Sequence, residues 1–335
     1  MTISDISARA GVSIGAVSFA LNGRPGVSDE TRARVLEVAD QMGWVPSMAA
    51  RALAEARSET IGLVLARDPS MLGVESFYMQ FLAGLESELS QRGYGLLLQV
   101  VPTKADQLAT IEKWSRSGAV DGLLVVDVEV DDPRIEMLSR PRAPRALVVG
   151  DPSVAGPLAS VWTDDATSMR QAVAHLVELG HRRIARISGD PALAHTRIRD
   201  DAYREALAVL RLGSLVVGTD YTPAAGAAAT RQVLEDPDRP TALVYDNDVM
   251  AVAGLAVAAE LGLRVPEDLS IIAWDDSVLC EHTFPRLTVL SHDVIAFGAH
   301  AGRRLFEVID GAAPAAHLDS TPQVVQREST GPAPD

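Results

Sequence analysis

Apolar positions recur with two different rhythms along the chain. In the first forty or so residues the spacing is helical. Ile3, Ile6 and Ala10 share one face of residues 2–10, Val17 and Leu21 one face of residues 14–21, and Val35, Val38, Ala39 and Met42 form a stripe along 29–42. Thr2 stands in the N-cap position with Asp5 three residues on, and Ser13 and Ser28 precede the second and third helices. Gly11 and Gly43 close the first and third, Val12 reads as a buried turn residue, and residues 22–26 are loop by composition. From Thr60 onward, unbroken apolar runs of four to six alternate with longer amphipathic stretches. Strands are expected at 61–65, 94–100, 121–126, 146–149, 184–187, 242–245 and 269–274. Helices are expected at 77–92, 104–117, 164–179, 199–210 and 249–261.

Two short helices joined by a glycine-containing turn, followed by a supporting third, make a helix-turn-helix. Apolar strands alternating with helices imply parallel sheets. The rhythm restarts after Val161, which predicts two Rossmann-like lobes with a ligand between them, at the carboxyl ends of the strands.

Composition narrows the class. A chain of 335 residues suits two or three domains. With 47% hydrophobic but only 4% aromatic residues, its cores are aliphatic, as in α/β layers. No apolar run reaches the length of a membrane span, and the first residues lack the basic start and apolar stretch of a signal peptide. The single cysteine, Cys280, allows no internal disulfide. A cytoplasmic protein is expected. The net charge of −15 argues against nucleic acid as a partner, but it is unevenly spread. Residues 1–59 hold six Arg against seven Asp and Glu, a net of −1, and the remainder carries −14. Such a segment attracts DNA weakly in general yet can still make specific contacts. Helix N-termini and hydroxyls at Thr2, Ser13, Ser18, Ser28 and Thr31 are placed to donate to phosphates.

The stretch Ile3-Ser4-Asp5-Ile6 through Ala10-Gly11-Val12-Ser13, with Ala16-Val17-Ser18, Leu21-Asn22-Gly23, Val27-Ser28 and Thr31-Arg32, closely resembles the headpiece of the LacI/GalR (lac-repressor) family of bacterial transcriptional regulators. So does Gly43-Trp44-Val45-Pro46 followed by Ala49-Ala50-Arg51-Ala52-Leu53. The resemblance implies an all-α helix-turn-helix headpiece plus an α/β periplasmic-binding-protein-like core of two Rossmann-like lobes. It implies a headpiece at 1–45, a hinge helix and linker at 46–59, an N-terminal lobe of 60–160 plus 288–318, and a C-terminal lobe of 161–287 plus 319–330. Leu53 matches the leucine wedge that opens a base step in the minor groove. Ala50 matches a small residue on the groove floor, and Ser47 a hinge-helix cap. The recognition helix departs from the family, carrying Ile14, Gly15 and Phe19 where long polar residues are frequent. None of these makes a bidentate hydrogen bond to a base. With Asn22 they complete the candidate DNA-binding set.

By the same resemblance, Arg199, Asn247 and Asp275 are expected to bind effector hydroxyls or a carboxylate. Trp162, Phe77 and Tyr78 are candidate wall residues, His292 a cleft residue, and Asp68 and Asp151 further strand-end candidates. Each has a structural alternative: Arg199 paired with Asp200 or Glu205 on the surface, Asp275-Asp276 capping a loop, Phe77 in the core. His181 reads as a helix-end residue. His292 and His300 are not at metal-ligand spacing with carboxylates or Cys, and neither a metal nor a cofactor is expected. The implied partners are pseudo-palindromic operator DNA, a second copy of the chain, and a small effector. A mono- or disaccharide leads, and a nucleobase is the alternative. Two other classes share parts of the pattern. A transport solute-binding protein would need a signal peptide and no headpiece. An α/β enzyme using Asp275 and His292 as acid and base would lack any phosphate loop or nucleophile elbow.

Overall fold

In a computed structural model, residues 2–44, 57–69, 73 and 76–334 are described. Ser47, Ala50 and Leu53 lie outside the described residues. The chain divides into two units, residues 1–58 and 59–335, taken in turn.

In the first unit, α1 (Ile3–Ala10) begins at a reciprocal capping box. The Asp5 amide donates to the Thr2 hydroxyl, and the Thr2 amide donates to the Asp5 carboxylate at 2.8 Å. Ser13 caps α2 (Ile14–Leu21) and Ser28 caps α3 (Asp29–Gln41). Ile6, Ala10, Val17, Ala20, Val35 and Ala39 form the core. Two expectations shift. Val12 is only half-buried, because the turn is closed by hydrogen bonds between Ser7 and Val12 and not by burial. Ala20, not Leu21, is the fully buried residue of the last turn of α2. That helix is apolar nearly all round, so only its packing against α1 and α3 selects the inner face.

The second unit holds two six-stranded sheets. The first contains β1 (Thr60–Ala66), β2 (Gly95–Val101), β3 (Gly122–Val125), β4 (Arg145–Val149), β5 (Ala159–Thr163) and β11 (Ala316–Ser320), in the order β11-β5-β4-β3-β1-β2. The second contains β6 (Ile184–Ser188), β7 (Leu215–Gly218), β8 (Ala242–Tyr245), β9 (Ser270–Trp274), β10 (Thr288–Ser291) and β12 (Gln323–Val325), in the order β12-β10-β9-β8-β6-β7. All pairings are parallel except β10 with β12. The intervening helices are α4 (Ser76–Gln91), α5 (Lys104–Ser117), α6 (Pro133–Leu138), α7 (Asp165–Glu178), α8 (Ala194–Val209), α9 (Pro223–Leu234), α10 (Asp248–Glu260), α11 (Val278–His282) and α12 (Val294–Ile309).

The chain passes between the lobes after Thr163, after Ser291 and after Ser320, a few residues beyond the boundaries expected at 160, 288 and 318. A parallel strand must run to its carboxyl end before the chain can leave its sheet. All three passages therefore sit where the cleft opens. Helices α4 and α12 cover the first sheet and touch backbone to backbone. A Cβ on Gly84 would lie 1.9 Å from the Ile295 carbonyl oxygen, and one on Gly298 would lie 2.0 Å from that of Phe81.

Candidate functional site

Between the carboxyl ends of the two sheets lies a cavity of about 460 Å³, in the size range of small-molecule sites. Its C-terminal-lobe wall is built on Arg199. Helix α8 starts at Ala194, five residues before the expected start, so Arg199 lies inside the helix and projects into the cleft. Its Nε donates to Asp165 at 2.8 Å and its Nη1 to Asp246 at 2.8 Å. Its guanidinium carbon sits 3.6 Å from the centre of the Trp274 ring. The surface pairing with Asp200 is absent, since Asp200 is taken by buried Arg186 at 2.6 Å.

Asp246 is the hub behind this wall. It accepts from Arg199, from the Gly189 amide at 2.9 Å and from the Tyr221 hydroxyl at 3.1 Å, and it pairs with Arg186 at 2.9 Å. Burial opposes its charge, yet Arg186 and Arg199 hold its carboxyl well below the usual range. Asp275, one residue past β9, has the left-handed φ of 67°. Its carboxylate makes no hydrogen bond or ion pair with any described residue. Burial pushes its pKa up to about 8 against the pull of Arg199, with Asp248 and Asp165 adding to the rise. The neighbouring Asp276 does structural work, gripping Arg327 through two 2.8 Å bonds.

Asn247 lines the cavity, but both ends of its amide are already engaged. Its oxygen caps α10 by accepting from the Met250 amide at 2.9 Å, and its nitrogen donates to the Tyr221 carbonyl at 3.0 Å. It shapes the wall and keeps one N–H and one oxygen lone pair for a ligand.

Trp162, Phe77 and His292 line the opposite wall, half-buried. Phe77 is wall and core together: its ring stacks on Phe81 at 6.0 Å and meets the edge of Tyr78 at 5.4 Å. His292 rests edge-on against Phe297 at 5.6 Å, with the Ser320 hydroxyl 3.4 Å from Nδ1, and burial lowers its pKa. Asp151 caps a turn by accepting from the Ser153 amide, and Asp68 lies at the exposed margin.

Several cleft residues escaped sequence reading: Arg67, Asp127, Asp165, His195, Tyr221 and Asp246. Arg67 and Asp127 stand just past the carboxyl ends of β1 and β3, so the strand-end rule applied to every strand would have found them. The lobes touch beside them. The Ala194 amide donates to the Val128 carbonyl at 2.8 Å, and Glu129 and Leu193 form an antiparallel bridge. His181, just past α7, is fully buried between Thr241, Ser270 and Gly331 and belongs to the core. Among the described residues no group of His, Cys, Asp or Glu is arranged to hold a metal ion. No described helix is long and apolar enough to cross a membrane.

In the headpiece, Ser13, Ile14, Gly15, Phe19 and Asn22 lie exposed along α2, with Ser18 half-buried among them. Ile14 is 56% exposed and Phe19 40%. The ring of Phe19 is braced against Gly26, where an added Cβ would come within 3.0 Å of it. At α3 the Ser28 hydroxyl donates to the Thr31 hydroxyl at 2.9 Å. The Thr2 hydroxyl is turned to Asp5 at 3.1 Å.

Residues 2–47 match the family described as bacterial regulatory proteins, lacI family, and residues 173–330 match the periplasmic binding protein-like domain. The HTH-type transcriptional regulator CelR of Thermobifida fusca is 33% identical over 318 residues, covering 92% of each chain. A solved CelR–cellobiose complex superposes with a TM-score of 0.75 at 31% identity, covering 98% of this chain and 99% of that one. The lac repressor dimer bound to operator and the anti-inducer ONPF superposes with a TM-score of 0.86 at 25% identity, covering 99% of both. With a helix-turn-helix, a two-lobed sensor core and relatives matched end to end, the chain belongs to the LacI family of DNA-binding transcriptional regulators, which are not enzymes.

Proposed function

We propose that the chain is a cytoplasmic repressor that binds a pseudo-palindromic operator as a homodimer and changes its affinity when a sugar occupies the cleft. The observation that carries the effector reading is the pairing of Arg199, braced by Asp165, Asp246 and the Trp274 ring, with the unengaged carboxylate of Asp275. Fixed guanidinium donors beside a free acceptor suit neighbouring hydroxyls, and Trp162 and Phe77 supply apolar faces. A relative solved with cellobiose supports the same reading. A second copy is supported by exposed apolar side chains: Leu97 and Leu98 on edge strand β2, and Val278, Leu279 and Phe284, the last 97% exposed. The DNA reading assigns α2 to the major groove, with Ser13, Ile14, Gly15, Ser18, Phe19 and Asn22 facing it. Ala50 and Leu53 would act in the minor groove.

The test is a thermal-shift panel of monosaccharides, disaccharides and nucleobases on the full-length protein, followed by operator titration with each hit. A sugar that raises the melting temperature and alters operator affinity is the expected result. A nucleobase as the sole hit would replace the sugar reading. Leu53→Ala should lose most operator affinity while keeping the sugar-dependent shift; unchanged DNA binding would remove the wedge role from Leu53.

A further inference from the structure

The second unit is acidic, yet one of its loops is strongly basic. Residues 60–335 carry a net charge of −14. The loop between α6 and β4 reads Ser139-Arg140-Pro141-Arg142-Ala143-Pro144 and runs straight into Arg145, the first residue of β4. Its three arginines are exposed, and they line a depression of about 520 Å³ whose walls include no acidic residue. A cluster of one sign on a surface of the other makes a local field that attracts an anion.

The three guanidiniums are not equally committed. Arg140 pairs with Glu136 at 3.0 Å, both side chains lying on the surface, where such a pair is worth little. Arg142 and Arg145 make no ion pair or side-chain hydrogen bond with any described residue. The loop that presents them is stiff. Pro141 and Pro144 fix their own φ and restrict Arg140 and Ala143 before them, and the Ala143 amide donates to the Arg140 carbonyl at 3.1 Å. A loop already fixed loses little backbone entropy when its side chains meet a ligand.

Position indicates what that anion is. Arg145 pairs in register with Gly122 of β3, and Gly122 with Ile61 of β1. Two strand spacings, about 10 Å, therefore separate the Arg145 backbone from Ile61, beside the point where the chain arriving from residues 1–58 joins the sheet. The effector cavity lies at the opposite, carboxyl end of the same strands. A duplex held by the helix-turn-helix is thus tethered to the end of the lobe that carries the arginines, and tethering raises its local concentration there. The headpiece itself, with six Arg against seven Asp and Glu over residues 1–59, neutralises few phosphates.

We propose that Arg142 and Arg145 form a second DNA contact, on the sensor core, that grips the phosphate backbone of the duplex read by the helix-turn-helix. The inference rests on the DNA-binding role of the family and extends it beyond the headpiece. Backbone contacts carry no sequence information, so the loop adds affinity while the helix-turn-helix keeps specificity.

Fluorescence anisotropy of the full-length protein tests this on two duplexes. One is selected from a random library by the protein itself, and the other has the same length with that sequence scrambled. Arg142→Gln/Arg145→Gln should weaken both several-fold, by the same factor. It should also reduce the slope of log affinity against log salt by about 2 for each loop engaged, since each phosphate contact adds about 0.9. Arg142→Lys/Arg145→Lys should keep the slope, because the charge is retained. Arg211→Gln, which removes an exposed arginine of the other lobe, should change neither affinity nor slope. The glutamine double variant should melt with the parent, as neither side chain has a partner to lose. An unchanged slope in that variant would overturn the proposal and leave the loop to a different anionic partner. An equal effect of Arg211→Gln per charge removed would also overturn it, assigning the change to net charge alone. So would weakening confined to the selected duplex. A parent chain that binds neither duplex would instead remove the DNA-binding reading itself, and this contact with it.

Discussion

The guanidinium of Arg199 lies over the indole of Trp274, its central carbon 3.6 Å from the ring centre, and this stack joins helix α8 to strand β9 at the floor of the cleft. The stack shields a charge that two carboxylates already hold in place, so the cation is fixed before any ligand arrives. Preorganisation of this kind lowers the ordering cost of binding. It also makes Arg199 a structural residue as well as a binding one.

Arg199→Met should therefore lose stability and ligand response together. It removes both ion pairs of a nearly buried guanidinium and leaves Asp165 with only the Thr163 hydroxyl, while Asp246 keeps Arg186. A loss of about 3 kcal/mol is expected in urea unfolding. Arg199→Lys should recover less than half of it, because an ammonium cannot span two carboxylates and stack at once. A full rescue by lysine would show that charge alone matters.

The pH dependence of stability should carry the signature of Asp275. Its carboxyl titrates near 8 in the folded chain and near 4 when unfolded. The folded state thus holds the proton more tightly, and rising pH destabilises the fold progressively between about 4 and 8. Asp275→Asn should match the parent near pH 4 and exceed its stability by about 1 kcal/mol or more at pH 8. A hydroxyl donated to ionised Asp275 would favour the charged form, so sugar binding near pH 7 should release protons. Titration in buffers of different ionisation enthalpy reads that release directly.

The α4–α12 contact should tolerate no side chain. Gly298→Ala places a methyl on the Phe81 carbonyl and should cost more than about 3 kcal/mol in chemical unfolding. Gly95→Ala, where nothing lies within 4 Å, should stay within about 0.5 kcal/mol of the parent. Equal behaviour of the two variants would mean that the helices separate readily.

In the headpiece, Gly26→Ala combines a φ of 121° with a clash against Phe19. It should cost about 1 kcal/mol or more and move the Phe19 ring. Operator affinity measured by fluorescence anisotropy should fall several-fold. Unchanged affinity would take Phe19 out of the DNA contact.

Operator binding should depend only weakly on salt. With a net charge of −1 over residues 1–59, few phosphates are neutralised. The slope of log affinity against log salt should be clearly shallower than about −10, the value reached with many phosphate contacts.

The cleft was half legible before the structure. Arg199, Asp275, Trp162, Phe77 and His292 all line the cavity, as does Asn247, though half of its amide's hydrogen-bonding capacity goes to the cap of α10 and the Tyr221 carbonyl. Arg67, Asp127 and Asp246 were missed because an isolated Arg or Asp after a strand looks like any surface charge. Their importance lies in one another, across 60 residues for Arg67 and Asp127 and 47 for Arg199 and Asp246. Strand β7 and helices α9 and α12 were also passed over. The strand is a half-exposed edge, and α9 is rich in Ala, whose small side chains give periodicity little contrast.

By itself the sequence determined the headpiece helices and their caps, the parallel α/β rhythm and the doubling into two lobes. These are local: caps, breaks and apolar periods act within a turn or a strand. Tertiary structure decided which face of α2 is buried, where the chain crosses between lobes, the glycine-to-backbone contact of α4 with α12, and which charges meet in the cleft. Those depend on distant segments brought within a few ångströms, where burial changes what a carboxylate or a guanidinium does.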